Sequence, residues 1–128
     1  MIHERHFSPE EANALLEWVS SRVAAIREAR DRLGDPSAHG ALAEAGPMNG
    51  GGKPGRVVGE AFLEVRGLLV ELQGAGIVLR DLDRGLVDFP ALRNGREVYL
   101  CWEVGEDRVG FWHELDTGFA ARRPLDWT

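Results

Sequence analysis

Several things are scarce in this chain of 128 residues, and each scarcity narrows what it does. There is a single cysteine, Cys101, so no internal disulfide and no multi-cysteine zinc site can form. There is a single lysine, Lys53, and acidic residues outnumber basic ones 21 to 15, for a net charge of -6. Nucleic-acid binding runs on clustered positive charge, so that class is disfavoured. No apolar run approaches the roughly 18 residues of a membrane span. The start, Met1-Ile2-His3-Glu4-Arg5-His6, lacks the basic region and apolar core of a signal peptide. The expectation is a cytoplasmic chain folding as one domain over 1–128, with neither nucleic acid nor membrane as partner.

What is present begins with a helix signal. Ser8 suits an N-cap, Glu11 completes a capping box, and Pro9 falls at the first helical position. Ala12, Leu16, Val19, Val23, Ile26, Arg30 and Leu33 then alternate steps of four and three, a heptad seam with one polar interruption. The pattern predicts a helix over 9–33, stopped by Gly34-Asp35-Pro36. Ten of the 22 residues at 34–55 are Gly or Pro, which predicts a loop. Within it, Asn49-Gly50-Gly51-Gly52 reads first as a plain connector, with an anion-binding turn at the start of the next helix as the lesser alternative. A second seam, Val58, Ala61, Val65, Leu68 and Leu72, predicts a helix over 56–73. Together these imply an antiparallel, coiled-coil-like helical hairpin over 9–73. Two helices cannot enclose a core, so the seams want a further partner. A homodimer is expected.

From Ile77 the apolar period becomes two, and residues 77–128 predict a small antiparallel sheet. The whole is then α+β. Glu97–Glu103 and Val109–Leu115 read as a hairpin. If Glu106-Asp107 is a two-residue turn, Leu100 faces His113; a one-residue bulge would bring Cys101 opposite His113 instead. The stretch Asp81-Leu82-Asp83-Arg84-Gly85-Leu86-Val87-Asp88 reads as an acidic loop. Its glycine comes one place too early for a calcium-binding EF-hand loop. Thr117 to Thr128 reads as irregular, and His3 and His6 as solvated.

The string Arg80-Asp81, Asp83, Gly85-Leu86-Val87-Asp88-Phe89-Pro90, Gly95-Arg96-Glu97-Val98-Tyr99-Leu100-Cys101-Trp102, Gly105-Glu106, Trp112-His113-Glu114, Gly118-Phe119-Ala120 and Arg122 resembles the DUF2203 family of small uncharacterised prokaryotic domains. The Phe7–Ala12 helix start and the Asn-Gly-Gly-Gly stretch resemble it as well. Arg80 stands where that family usually has Lys, and Ala121 where it usually has Gly. The resemblance implies a group of candidate residues and little chemistry.

Those candidates are Asp83, Asp88, Glu106 and His113, gathered at the loop end of the sheet, with Arg96, Trp102 and Arg122 nearby to read a ligand. Two functions stay open. One is a non-enzymatic, self-associating protein whose β part binds a partner or small ligand. The other is a small hydrolase dependent on a divalent metal held by His113, Asp83 and Asp88. One histidine in the motif region favours the first. Cys101 reads as a small buried hydrophobe.

Overall fold

The computed structural model describes residues 2–33 and 53–127. The Gly/Pro-rich stretch, with Asn49–Gly52, lies outside the described residues except for its last positions, which already belong to a helix. The elements are α1 (Pro9–Ala14), α2 (Leu16–Leu33), α3 (Lys53–Gly74), β1 (Val78–Asp81), β2 (Leu86–Arg93), β3 (Arg96–Glu103), β4 (Phe111–Glu114), a 3-10 turn (Phe119–Ala121) and β5 (Arg123–Pro124). The class is α+β, with a five-stranded antiparallel sheet in the order β1-β2-β3-β4-β5.

The capping box forms as the sequence requires. Ser8 Oγ accepts from the Glu11 amide at 3.0 Å, and Glu11 Oε1 accepts from the Ser8 amide at 3.0 Å. The expected single helix is broken at Leu15, whose amide is shared between the Glu11 and Ala12 carbonyls in a tightened last turn. Asn13 fastens that turn to the loop before β4. Its side chain donates to Val109 O at 3.1 Å and accepts from Val109 N at 2.8 Å. Nor do the helices all precede the sheet: a 3-10 turn falls between β4 and β5, in the tail that read as irregular. Arg22 pairs with Glu71 and Arg32 with Glu64, so α2 and α3 pack in opposite senses.

The core lies between the helices and one face of the sheet. Ala12, Val19, Val23, Ile26 and Leu72 pack there against Val87, Phe89, Ala91, Val98, Leu100, Trp102 and Trp112. The two seams are therefore used within the chain, against the sheet and each other.

The acidic stretch is a turn and a strand rather than a loop. Gly85 N donates to Leu82 O, closing a turn that only glycine suits: its φ is +64°, and a Cβ there would meet Val104 Cγ2 at 2.2 Å. Pro90 is tolerated inside β2 because β1 has ended, leaving that edge to the Phe7 amide, which donates to Pro90 O at 2.7 Å. Asn94 and Gly95, both with positive φ, turn β2 into β3.

The β3–β4 register matches neither expectation. Tyr99 faces His113, Leu100 faces Trp112 and Cys101 faces Phe111. The connection is the longer loop 104–110, folded around Glu106, whose carboxylate accepts from the Glu103 amide at 2.7 Å and whose carbonyl accepts from Trp102 Nε1 at 2.9 Å. That one-residue difference moves His113 off the Leu100 face.

Candidate functional site

The face of the sheet turned away from the helices is buried but polar. Strand alternation sends Asp88 from β2, Tyr99 and Cys101 from β3, and His113 from β4 to this side. Asp88 is 2% exposed, His113 3% and Cys101 0%. His113 Nδ1 donates to the Glu114 carbonyl at 2.8 Å, and Nε2 donates to Asp88 Oδ1 at 3.0 Å. The Glu114 carbonyl can only accept, so Nδ1 carries a proton, and Nε2 shares a second with Asp88. Burial pushes the imidazole toward neutrality, but the hydrogen bond to Asp88 and its charge outweigh that and raise its pKa. Arg80 Nε donates to the other carboxylate oxygen, Oδ2, at 2.9 Å, and its guanidinium stacks over the Tyr99 ring. Asp88 is thus clamped between two cations.

Cys101 sits beside this pair. Burial, and then the Asp88 charge, push its thiol up to about 12, partly offset by Arg122. It is a neutral thiol at physiological pH. Arg122 is itself locked in place. It forms a two-pronged pair with Glu106, at 3.0 and 2.8 Å, and its guanidinium lies against the Phe111 and Phe119 rings.

A cavity of about 260 Å³ opens at the pair, lined among others by the charged and titratable Arg80, Asp88, His113 and Asp116 and by Leu86, Leu115 and Phe119. Beyond Tyr99, the N-terminal segment straps the same face. Glu97 accepts from the Ile2 and His3 amides at 2.8 and 2.9 Å and from His6 Nε2 at 2.8 Å, while His3 Nε2 meets the Tyr99 hydroxyl at 2.7 Å.

The family model described as "Uncharacterized conserved protein (DUF2203)" matches residues 5–125. The chain belongs to the DUF2203 family. No curated protein and no solved structure matches it.

In this DUF2203 chain the residues singled out in the sequence separate into groups. Asp88 and His113 meet directly. Glu106 and Arg122 meet each other and flank Cys101 rather than the imidazole. Asp83 does not join them: it is 89% exposed in the β1–β2 turn and pairs with Arg30 of α2. Its carbonyl accepts from Arg27. Arg96 is exposed and pairs with Glu114 at 2.7 Å. Trp102 belongs to the core on the opposite face, because it is one strand position from Cys101. Sequence reasoning left Arg80, Tyr99 and Glu97 out of the site and read Cys101 as a small buried residue, which it is, without placing it beside Asp88. The signal for them was the period of two through Glu97, Tyr99 and Cys101, which puts all three on one face once the register is known. His3 and His6 are engaged with that face instead of solvated. Among the described residues, no helix is long and apolar enough to cross a membrane.

Proposed function

We propose that this DUF2203 chain is a non-enzymatic, self-associating binding protein. Its ligand is a small molecule bearing a carboxylate or phosphate group, taken into the cavity over the Asp88–His113 pair. The observation that carries this reading is the composition of the cavity wall. Arg80 gives Asp88 its Nε and lies against Tyr99, and its side chain is still 42% exposed, so part of its guanidinium fork faces solvent where an anion could meet it. Leu86, Leu115 and Phe119 supply the apolar surface against which the remainder of a ligand would lie. At about 260 Å³ the space suits a compact metabolite. Isothermal titration against a panel of small carboxylates and phosphate esters tests this. At least one should bind, and Arg80→Ala should weaken it roughly tenfold or more, the worth of a charge-assisted hydrogen bond. A panel without binders, or equal binding by Arg80→Ala, overturns the reading.

Self-association in this proposal uses the outer side of α3. Since Val23 and Leu72 are spent on the core, the expected pairing through the seams moves to Phe62, Leu63, Leu69 and Val70, which are exposed and recur at helical spacing. α2 and α3 then form a coiled-coil-like hairpin whose outward stripe meets a second copy. A cytoplasmic compartment fits the free, buried Cys101. Analytical ultracentrifugation should find a dimer at micromolar concentration, and Leu63→Glu with Val70→Glu a monomer. A native chain that sediments as a monomer rules this out.

A further inference from the structure

We propose that Asp88, Cys101 and His113 form a three-ligand site for one divalent transition metal of the zinc class, its fourth position open to the cavity beside them. This goes beyond the binding reading and stands on the donor atoms alone.

The three side chains come from adjacent strands and one face. Asp88 and Cys101 are direct register partners, and His113 lies two residues from Phe111, the partner of Cys101 on β4. One donor atom from each lies within 4.8 Å of the other two, and all three residues are buried. In a tetrahedral zinc shell, bonds of about 2.0–2.3 Å put neighbouring donors roughly 3.3–3.7 Å apart. The Oδ1 to Nε2 separation of 3.0 Å is a little inside that spacing, and the 4.8 Å limit on the trio lies a little outside it, so loading asks for shifts on the order of 1 Å.

The surroundings orient the donors. His113 Nδ1–H is held by the Glu114 carbonyl, which leaves Nε2 as the coordinating nitrogen, and Arg80 holds Asp88 Oδ2, which leaves Oδ1. Of the two neighbouring guanidiniums, Arg122 is compensated by Glu106, and Arg80, whose side chain is 42% exposed, is screened by solvent. One sulfur, one nitrogen and one oxygen suit zinc or cobalt far better than magnesium or calcium. Loading exchanges two protons, the Cys101 thiol proton and the one on His113 Nε2, for one dication. The buried trio is neutral before and after, so the low-dielectric face does not oppose the exchange. Cys101 takes the place that Asp83 held in the sequence reading of a metal site. Asp83, inside the β1–β2 turn, is paired with Arg30 instead.

The test uses the full chain, stripped with chelator and titrated with Zn²⁺ and Co²⁺. The expected result is one metal per chain, two protons released, and a thiolate-to-cobalt charge-transfer band that is absent in Cys101→Ser. His113→Asn should weaken binding at least tenfold with the circular dichroism unchanged, and His3→Gln with His6→Gln should leave it intact. X-ray absorption of the zinc-loaded native chain needs no variant and should find one sulfur in the first shell. No stoichiometric metal at micromolar concentration, a shell without sulfur, or metal lost with the N-terminal histidines would each overturn the proposal.

Discussion

The two faces of one sheet are equally buried and chemically opposite. Toward the helices stand Val87, Phe89, Ala91, Val98, Leu100 and Trp112; away from them stand Asp88, Tyr99, Cys101 and His113. The first face explains itself, since apolar burial is the main favourable term in folding. The second does not. Taking an ion pair out of water costs about as much as the pair returns, and similar-sized apolar residues are commonly as stable or more so. On the function proposed above, the polar face is kept for what it binds rather than for stability. It also takes more fastening: Glu97 holds the N-terminal strap, Arg80 clamps Asp88, and Glu106 with Arg122 closes the corner over Cys101.

Breaking the apolar face should have the largest effect. Phe89→Ala removes a fully buried ring packed edge-on against Phe7 and should cost about 3–5 kcal/mol in urea unfolding. Next comes Asp88→Ala, which leaves His113 and Arg80 facing each other without their shared carboxylate. It should cost about 3 kcal/mol, the low end for a broken buried pair because His113 can release its proton. Arg122→Ala should cost about 1–2 kcal/mol through the orphaned Glu106. Its clearer sign is kinetic: Cys101, fully buried in the native chain, should react with a thiol reagent markedly faster. The smallest effect sharpens the comparison at its edge. Burial raises the Glu97 carboxyl, but the His3 amide, His6 and the Ile2 amide outweigh it and hold it at about 2. A carboxyl lowered on folding stabilises above its unfolded value and loses that contribution as pH falls toward its folded one. The strap should therefore loosen between pH 4.5 and about 2, seen as faster exchange of the Ile2 and His3 amides. Glu97→Gln should remove that step; a step that persists in the variant places its origin elsewhere.

How much of this was legible in the sequence depended on the range of the interactions. The seam Ala12, Val19, Val23, Ile26 and the capping box at Ser8 are local patterns, and both appear where the spacing put them. β2 was hidden because Pro90 and three nearby aspartates imitate a loop, and only the early end of β1 makes a proline acceptable there. The hairpin register hung on the loop 104–110, whose closure around Glu106 has no short-range signature. One residue of register decides whether His113 meets Leu100 or Asp88 and Tyr99. Asp83 and Asp88 look alike in sequence. One lies within a turn and pairs with Arg30, the other lies on the buried polar face of the sheet, and nothing but the strand boundary separates them. The engagement of His3 with Tyr99 and of His6 with Glu97 spans more than ninety residues and left no trace in the order of residues.

The central claim is that the Asp88–His113 pair serves binding and not stability. Urea denaturation of the double variant Asp88→Leu with His113→Phe tests it most directly, because removing both partners leaves no orphaned charge at the centre and Arg80 can turn toward solvent. The account predicts unfolding free energy equal to or above that of the native chain. A double variant several kcal/mol less stable than the native chain, about as damaging as Asp88→Ala alone, would show that the pair holds the fold together and contradict the claim.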